Sequence, residues 1–140
     1  MKKLLLVIVL AAVGYFAYVR HDSAPSQTIE AVSATADRIG SEASNTQVQG
    51  TGVVSRMLSD DNDGSRHQRF ILRLQSGQTL LVAHNIDLAP RINDLKEGDT
   101  VEYSGEYEWN PKGGVVHWTH RDPAGQHVTG WLKHDGRVFQ

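Results

Sequence analysis

Cysteine is absent from these 140 residues, which removes thiol nucleophiles, thiolate metal ligands and disulfides together. Stability must therefore come from an apolar core. A basic excess is also missing: 14 Lys and Arg stand against 16 Asp and Glu, a formal charge of −2. From Thr46 onward the balance is the same, ten against twelve. General nucleic-acid binding through phosphate neutralisation is thus disfavoured, and only a local basic stripe stays open.

The amino terminus reads as a separate device. Lys2 and Lys3 precede an apolar run from Leu4 to Val19, closed by Arg20, His21 and Asp22, the layout of an export signal or a short membrane anchor. A spanning helix needs about 20 apolar residues and tolerates roughly 17. Bulky or charged groups stand where a signal peptidase prefers small ones, so a retained single-pass anchor is favoured over a cleaved signal and secretion. Positive charge on the amino-terminal side places the remainder outside the cytoplasm, in a periplasm-like compartment. Residues 1–22 are thus the anchor or signal, 23–45 a flexible tether rich in Ser, Ala, Thr and Glu, and 46–140 the folded domain. The inner membrane, reached through the amino-terminal helix, is the first expected partner. A disulfide-linked one is excluded.

From Val48 apolar and polar residues alternate with period two, which predicts an all-β domain. The expected strands are Gln49 to Leu58, His67 to Gln75, Gln78 to Asn85, Thr100 to Trp109 and Gly114 to His120, with a last hairpin around Asp135-Gly136. Ile86 to Leu95 reads as a loop with one short helical turn. Such an order resembles the small five-stranded Greek-key barrel called the OB-fold. The Asp60-Asp61-Asn62-Asp63-Gly64 run has Phe70 where a calcium loop would carry its bidentate Glu, so it reads as a hairpin tip.

Turn lengths give registers. If Ser76-Gly77 is a two-residue turn, Phe70, Leu72, Leu74, Leu81 and Ala83 share the core face, and His67, Arg69, Ile71, Arg73, Leu80, Val82 and His84 face out. If Asn110 to Gly113 closes the next hairpin, Glu106 faces His117 and Glu102 faces Arg121. Val101, Tyr103, Tyr107, Trp109, Val116 and Trp118 then form an aromatic core face, with Gly105 leaving room for the indole. In the OB strand order Arg69, His84, Glu106 and His117 make one outward band.

Four of the seven histidines fall between His117 and His134, and histidine is the side chain whose charge and ligand chemistry are available near neutral pH. One reading is a divalent metal cofactor such as zinc, held by His120, Asp122 and His127. A second is a hydrolase, nuclease-like or metal-dependent, in which His117 or His127 moves a proton and Glu106 or Asp122 orients it. A third is a binding module whose His67, Arg69, Arg73 and His84 take a polar or anionic ligand, a small molecule or a nucleic acid. A fourth is a structural envelope protein that docks a partner on Ile71, Leu80 and Val82.

The strings His67-Gln-Arg-Phe-Ile-Leu, Ala83-His84-Asn-Ile-Asp-Leu-Ala-Pro-Arg-Ile, Gly105-Glu-Tyr-Glu-Trp-Asn, His117-Trp-Thr-His-Arg-Asp-Pro and His127-Val-Thr-Gly-Trp resemble the bacterial domain of unknown function numbered 3465. The resemblance covers about Val48 to Gln140. It implies small, often exported proteins and brings no activity. The binding module on the barrel is the expected function, with the hydrolase second.

Overall fold

A computed structural model describes Ile39 and residues 44–140 of the chain. The apolar run, the proposed membrane helix and most of the tether lie outside the described residues. Alternation becomes seven strands: β1 (Thr46–Met57), β2 (His67–Leu74), β3 (Thr79–Asn85), β4 (Thr100–Glu108), β5 (Val115–His117), β6 (Trp131–His134) and β7 (Arg137–Phe139). Among the described residues there is no helix. The sheet order is β1-β2-β3-β5-β4-β6-β7, and β4 also pairs with β1, which closes the first five strands into a barrel. β3 and β5 run parallel; the other ladders are antiparallel.

The core is the set of inward positions these registers dictate: Val48, Val54, Phe70, Leu72, Leu80, Val82, Val101, Tyr103, Tyr107, Val116 and Leu132 are all buried. Ile39, from the segment read as tether, belongs to the same cluster and is 2% exposed. An extra residue at Ser55 shifts the β1–β2 register between Val54 and Arg56, a bulge that bends β1 around the barrel.

The β2–β3 hairpin departs from the expected register by one residue. Its loop holds three residues: the Leu74 amide donates to the Gln78 carbonyl, the Gly77 amide donates back to Leu74, and Gly77 takes φ +86°. That is the three-residue hairpin closed by a left-handed glycine, not the two-residue turn. A one-residue slip exchanges the faces of a strand. Phe70 therefore lies opposite Val82, Leu72 opposite Leu80 and Gln68 opposite His84. Leu80, Val82 and His84 are inside, while Leu81 and Ala83 are the half-exposed outer residues.

The β4–β5 hairpin keeps the expected pairing, Glu106 with His117 and Tyr107 with Val116. It is shorter than expected. β5 stops at His117, and β6 takes over the edge of β4, so Glu102 lies opposite Lys133 and not Arg121; the two form an ion pair of 3.0 Å. Trp109 is 37% exposed and Trp118 half-buried, so neither joins the aromatic core. Gly105 makes room for the His117 carbonyl and for Thr119 and Val116 rather than for an indole.

The connection from Ile86 to Leu95 caps one end of the barrel. Leu88 and Ala89 donate to the Asn85 carbonyl in one turn, and Pro90 cannot extend it because it has no N–H and disfavours helical geometry before it. Gln68, fully buried, clamps the cap: its amide donates to the Ile92 carbonyl and its oxygen accepts from the Ile92 amide, both at 2.9 Å. Arg66–Asp87 and Arg91–Asp60 pairs fasten its rim. Asp60 and Asp61 in the hairpin tip are thus structural, Asp61 accepting from the Asp63 amide.

Candidate functional site

Six histidines lie in the described residues, and five have a ring nitrogen in a hydrogen bond. His84, expected outside, projects into the capped end of the barrel. Its Nε2 sits 3.1 Å from the Pro90 carbonyl, which can only accept, so Nε2 carries the proton. Nδ1, 2.8 Å from Thr119 Oγ1, then accepts from that hydroxyl. The ring is neutral, and burial, with smaller contributions from His120 and His67, holds its pKa down at about 4. Such a histidine ties the cap and the β5 exit to β3; it is removed from the proposed ligand band.

Beyond β5 the chain leaves the sheet abruptly. Trp118 adopts φ +51°, unusual for a bulky residue, and the segment to Gly130 loops out and returns. Gly130 backs directly onto the Trp118 and Ser104 carbonyls, where a side chain has no room, and its amide donates to the His120 carbonyl at 3.0 Å. The result is a compact loop with adjoining ends, held by its own side chains. Trp118 stacks on His127, ring centroids 3.6 Å apart and planes 13° from parallel. His120, 2% exposed, donates Nδ1–H to the Arg121 carbonyl and lies edge-on to His84 at 6.4 Å.

Asp122 organises this loop. Oδ1 accepts from the Ala124 amide, and Oδ2 from the Gln126 and His127 amides and from His127 Nδ1 at 3.0 Å. Its side chain is 4% exposed. The His127 bond, followed by the backbone donors, holds its carboxyl well below the usual carboxylate range. The Asp-Pro-Ala-Gly turn in the sequence carries the signal for this role. Asp122 and His127 are therefore brought together, as the acid–base reading requires. Four donors already occupy the carboxylate, which leaves it poorly suited to a metal, and His120 belongs to neither of the two three-residue clusters with metal-ligand spacing among the described residues.

Those clusters are Asp94, His134 and Asp135, and Glu106, Glu108 and His117, each with ligand atoms within 4.8 Å of one another. In the first, His134 Nε2 already donates to Asp99 at 2.9 Å. The second lies on the outer face, where Glu106 meets His117 as expected. Glu108 was not singled out in the sequence, though period two puts it beside Glu106 on the same face.

His67, Arg69 and Arg73 remain on the outer side of β2, with Ile71 among them. His67 Nδ1 donates to the Ser65 carbonyl and Arg69 Nε to the Ser59 carbonyl. Arg56, opposite Ile71 on β1, joins them; the bulge that brings it there has no sequence signal. The docking patch read as Ile71, Leu80 and Val82 does not exist, since Leu80 and Val82 are fully buried.

No curated protein is significantly similar to the chain. A family model described as protein of unknown function, DUF3465, matches residues 21–140. The match takes in the segment before the barrel, including Ile39, as well as every strand and the histidine loop, and the chain belongs to the DUF3465 family.

Proposed function

We propose that the chain is an exported OB-type barrel, held at the membrane through Leu4 to Val19, that binds an anionic ligand on the outer face of β1 and β2. The closed five-strand order with β3 parallel to β5 supports the OB assignment. The observation that carries the ligand reading is the grouping of Arg56, Arg69 and Arg73 around Ile71. None of the three has a carboxylate partner among the described residues, unlike Arg66, Arg91, Lys96 and Lys133; Lys112, Arg121 and Arg137 also lack one but stand on separate elements, whereas these three share one face of two paired strands. Guanidinium groups spaced across two strands, with N–H groups to spare even at Arg69 beyond its Nε bond to Ser59, suit phosphate or carboxylate oxygens. Since the net charge is −2, a compact anion fits better than a long nucleic acid, which draws on a wider basic surface.

Isothermal titration of the full-length chain with inorganic tripolyphosphate, and with citrate as the carboxylate counterpart, tests this. Binding that weakens as salt rises and disappears in the Arg69→Ala/Arg73→Ala double variant, with unchanged melting, is the expected result. Equal affinity in the double variant would refute it.

A hydrolase is the second reading, and the Asp122–His127 pair favours it. Donation from Nδ1 to Asp122 fixes the tautomer that leaves Nε2 as a base, the arrangement that acid–base catalysis uses. On this reading turnover would vanish in His127→Gln with the fold intact.

A further inference from the structure

We infer that Glu106, Glu108 and His117 form a binding site for a transition-metal dication of the zinc class on the outer face of β4 and β5. Two ligands two residues apart on one strand project from the same face, and a third directly across the ladder projects beside them. Three side chains therefore converge as a tripod with no loop to position them. Their ligand atoms fall within 4.8 Å of one another, with His117 Nε2 3.7 Å from Glu108 Oε1, too long for a hydrogen bond.

A separate observation comes from His117 itself. Its Nε2 is enclosed and has no hydrogen-bond partner, and it is the one buried side-chain polar atom so left among the described residues. Every other described histidine uses a ring nitrogen in a hydrogen bond. A buried polar atom left unsatisfied is costly, and a bound ion is one of the few things that explains it. The lone pair of a neutral imidazole is a metal ligand. Neither neighbouring carboxylate has a Lys or Arg partner: Lys133 is engaged with Glu102, and the other Lys and Arg ion pairs among the described residues lie elsewhere. Two close negative charges repel, and a dication between them reverses the sign of that interaction. One nitrogen and two oxygens are a zinc-type donor set that keeps a position open for water or an anion.

This site shares no residue with the Arg56, Arg69 and Arg73 face, so the two readings fail independently. The full-length chain, purified without chelator and titrated calorimetrically with zinc chloride, is expected to take one equivalent. That equivalent is expected to be lost in His117→Gln and in Glu108→Gln, and retained in His120→Gln and His127→Gln. All four substitutions are checked for unchanged circular dichroism, and Glu106→Gln stands in for any that misfolds. Absence of stoichiometric zinc binding would overturn the inference, and so would zinc binding that survives at His117→Gln but falls at His127→Gln.

Discussion

The two hairpins that frame the barrel differ by one loop residue, and that residue decides where a histidine goes. In the β4–β5 hairpin the loop puts His117 outside, opposite Glu106. In the β2–β3 hairpin the three-residue loop puts His84 inside, opposite Gln68. Both histidines sit in alternating strands of similar composition, so side-chain chemistry alone does not separate them. Register does. The inner ring becomes a neutral strut with both nitrogens used; the outer one keeps a nitrogen without a partner.

The largest effect that sharpens this contrast comes from placing a charge on either face of β3. Val82→Asp would bury an unpaired carboxylate among Phe70 and Leu72, costing on the order of 3–5 kcal/mol, enough to leave little folded protein. Leu81→Asp, one residue away on the half-exposed face, should shift the melting temperature by only a few degrees. Urea denaturation of both variants checks the register; equal destabilisation would contradict it.

A pH titration of stability should give the next effect. The folded-state pKa of His84 lies at about 4, against 6.5 for the free side chain. Between those values the unfolded chain binds the proton and the folded one does not. Stability is therefore full above pH 6.5 and falls as pH drops from 6.5 toward 4, by up to roughly 3 kcal/mol from this residue. His84→Gln should flatten that limb. Further losses below pH 4, from Asp87, Asp99 and Asp122, whose carboxyl groups are held low by Arg66, by the Lys96 amide and by His127 respectively, should remain.

The smallest effect concerns the loop residue itself. Gly77 holds φ +86° with open space around it, so Gly77→Ala should cost about 1 kcal/mol through backbone conformation alone. A larger loss, with changed near-ultraviolet circular dichroism, would indicate that the β2–β3 register had moved.

Much of the barrel was legible in the sequence, because period-two alternation and turn residues report strands directly. The inward faces of β2 and β4 and the Glu106–His117 pairing follow from that alone. The face of β3 did not, since two-residue and three-residue loops at Gln75 to Gly77 carry the same residues and differ only in hydrogen bonding. The position of Trp118 is hidden for another reason. Nothing in His-Trp-Thr-His marks the point where Gly130 returns to displace β5 from β4, which is a contact between residues far apart in the chain. Asp122 and His127 are both candidates in the sequence, with Glu106 and His117 as alternatives, but three of the four donors that fill the Asp122 carboxylate are backbone amides, invisible until the turn is built.

The sheet order ends at β7, the one strand among the described residues with a single neighbour. That strand is three residues long, with Arg137 folded over Phe139. Among the described residues this terminal edge thus presents only a short backbone ladder for another polypeptide to extend. A partner that meets the barrel at this edge would be read by side chains more than by strand addition.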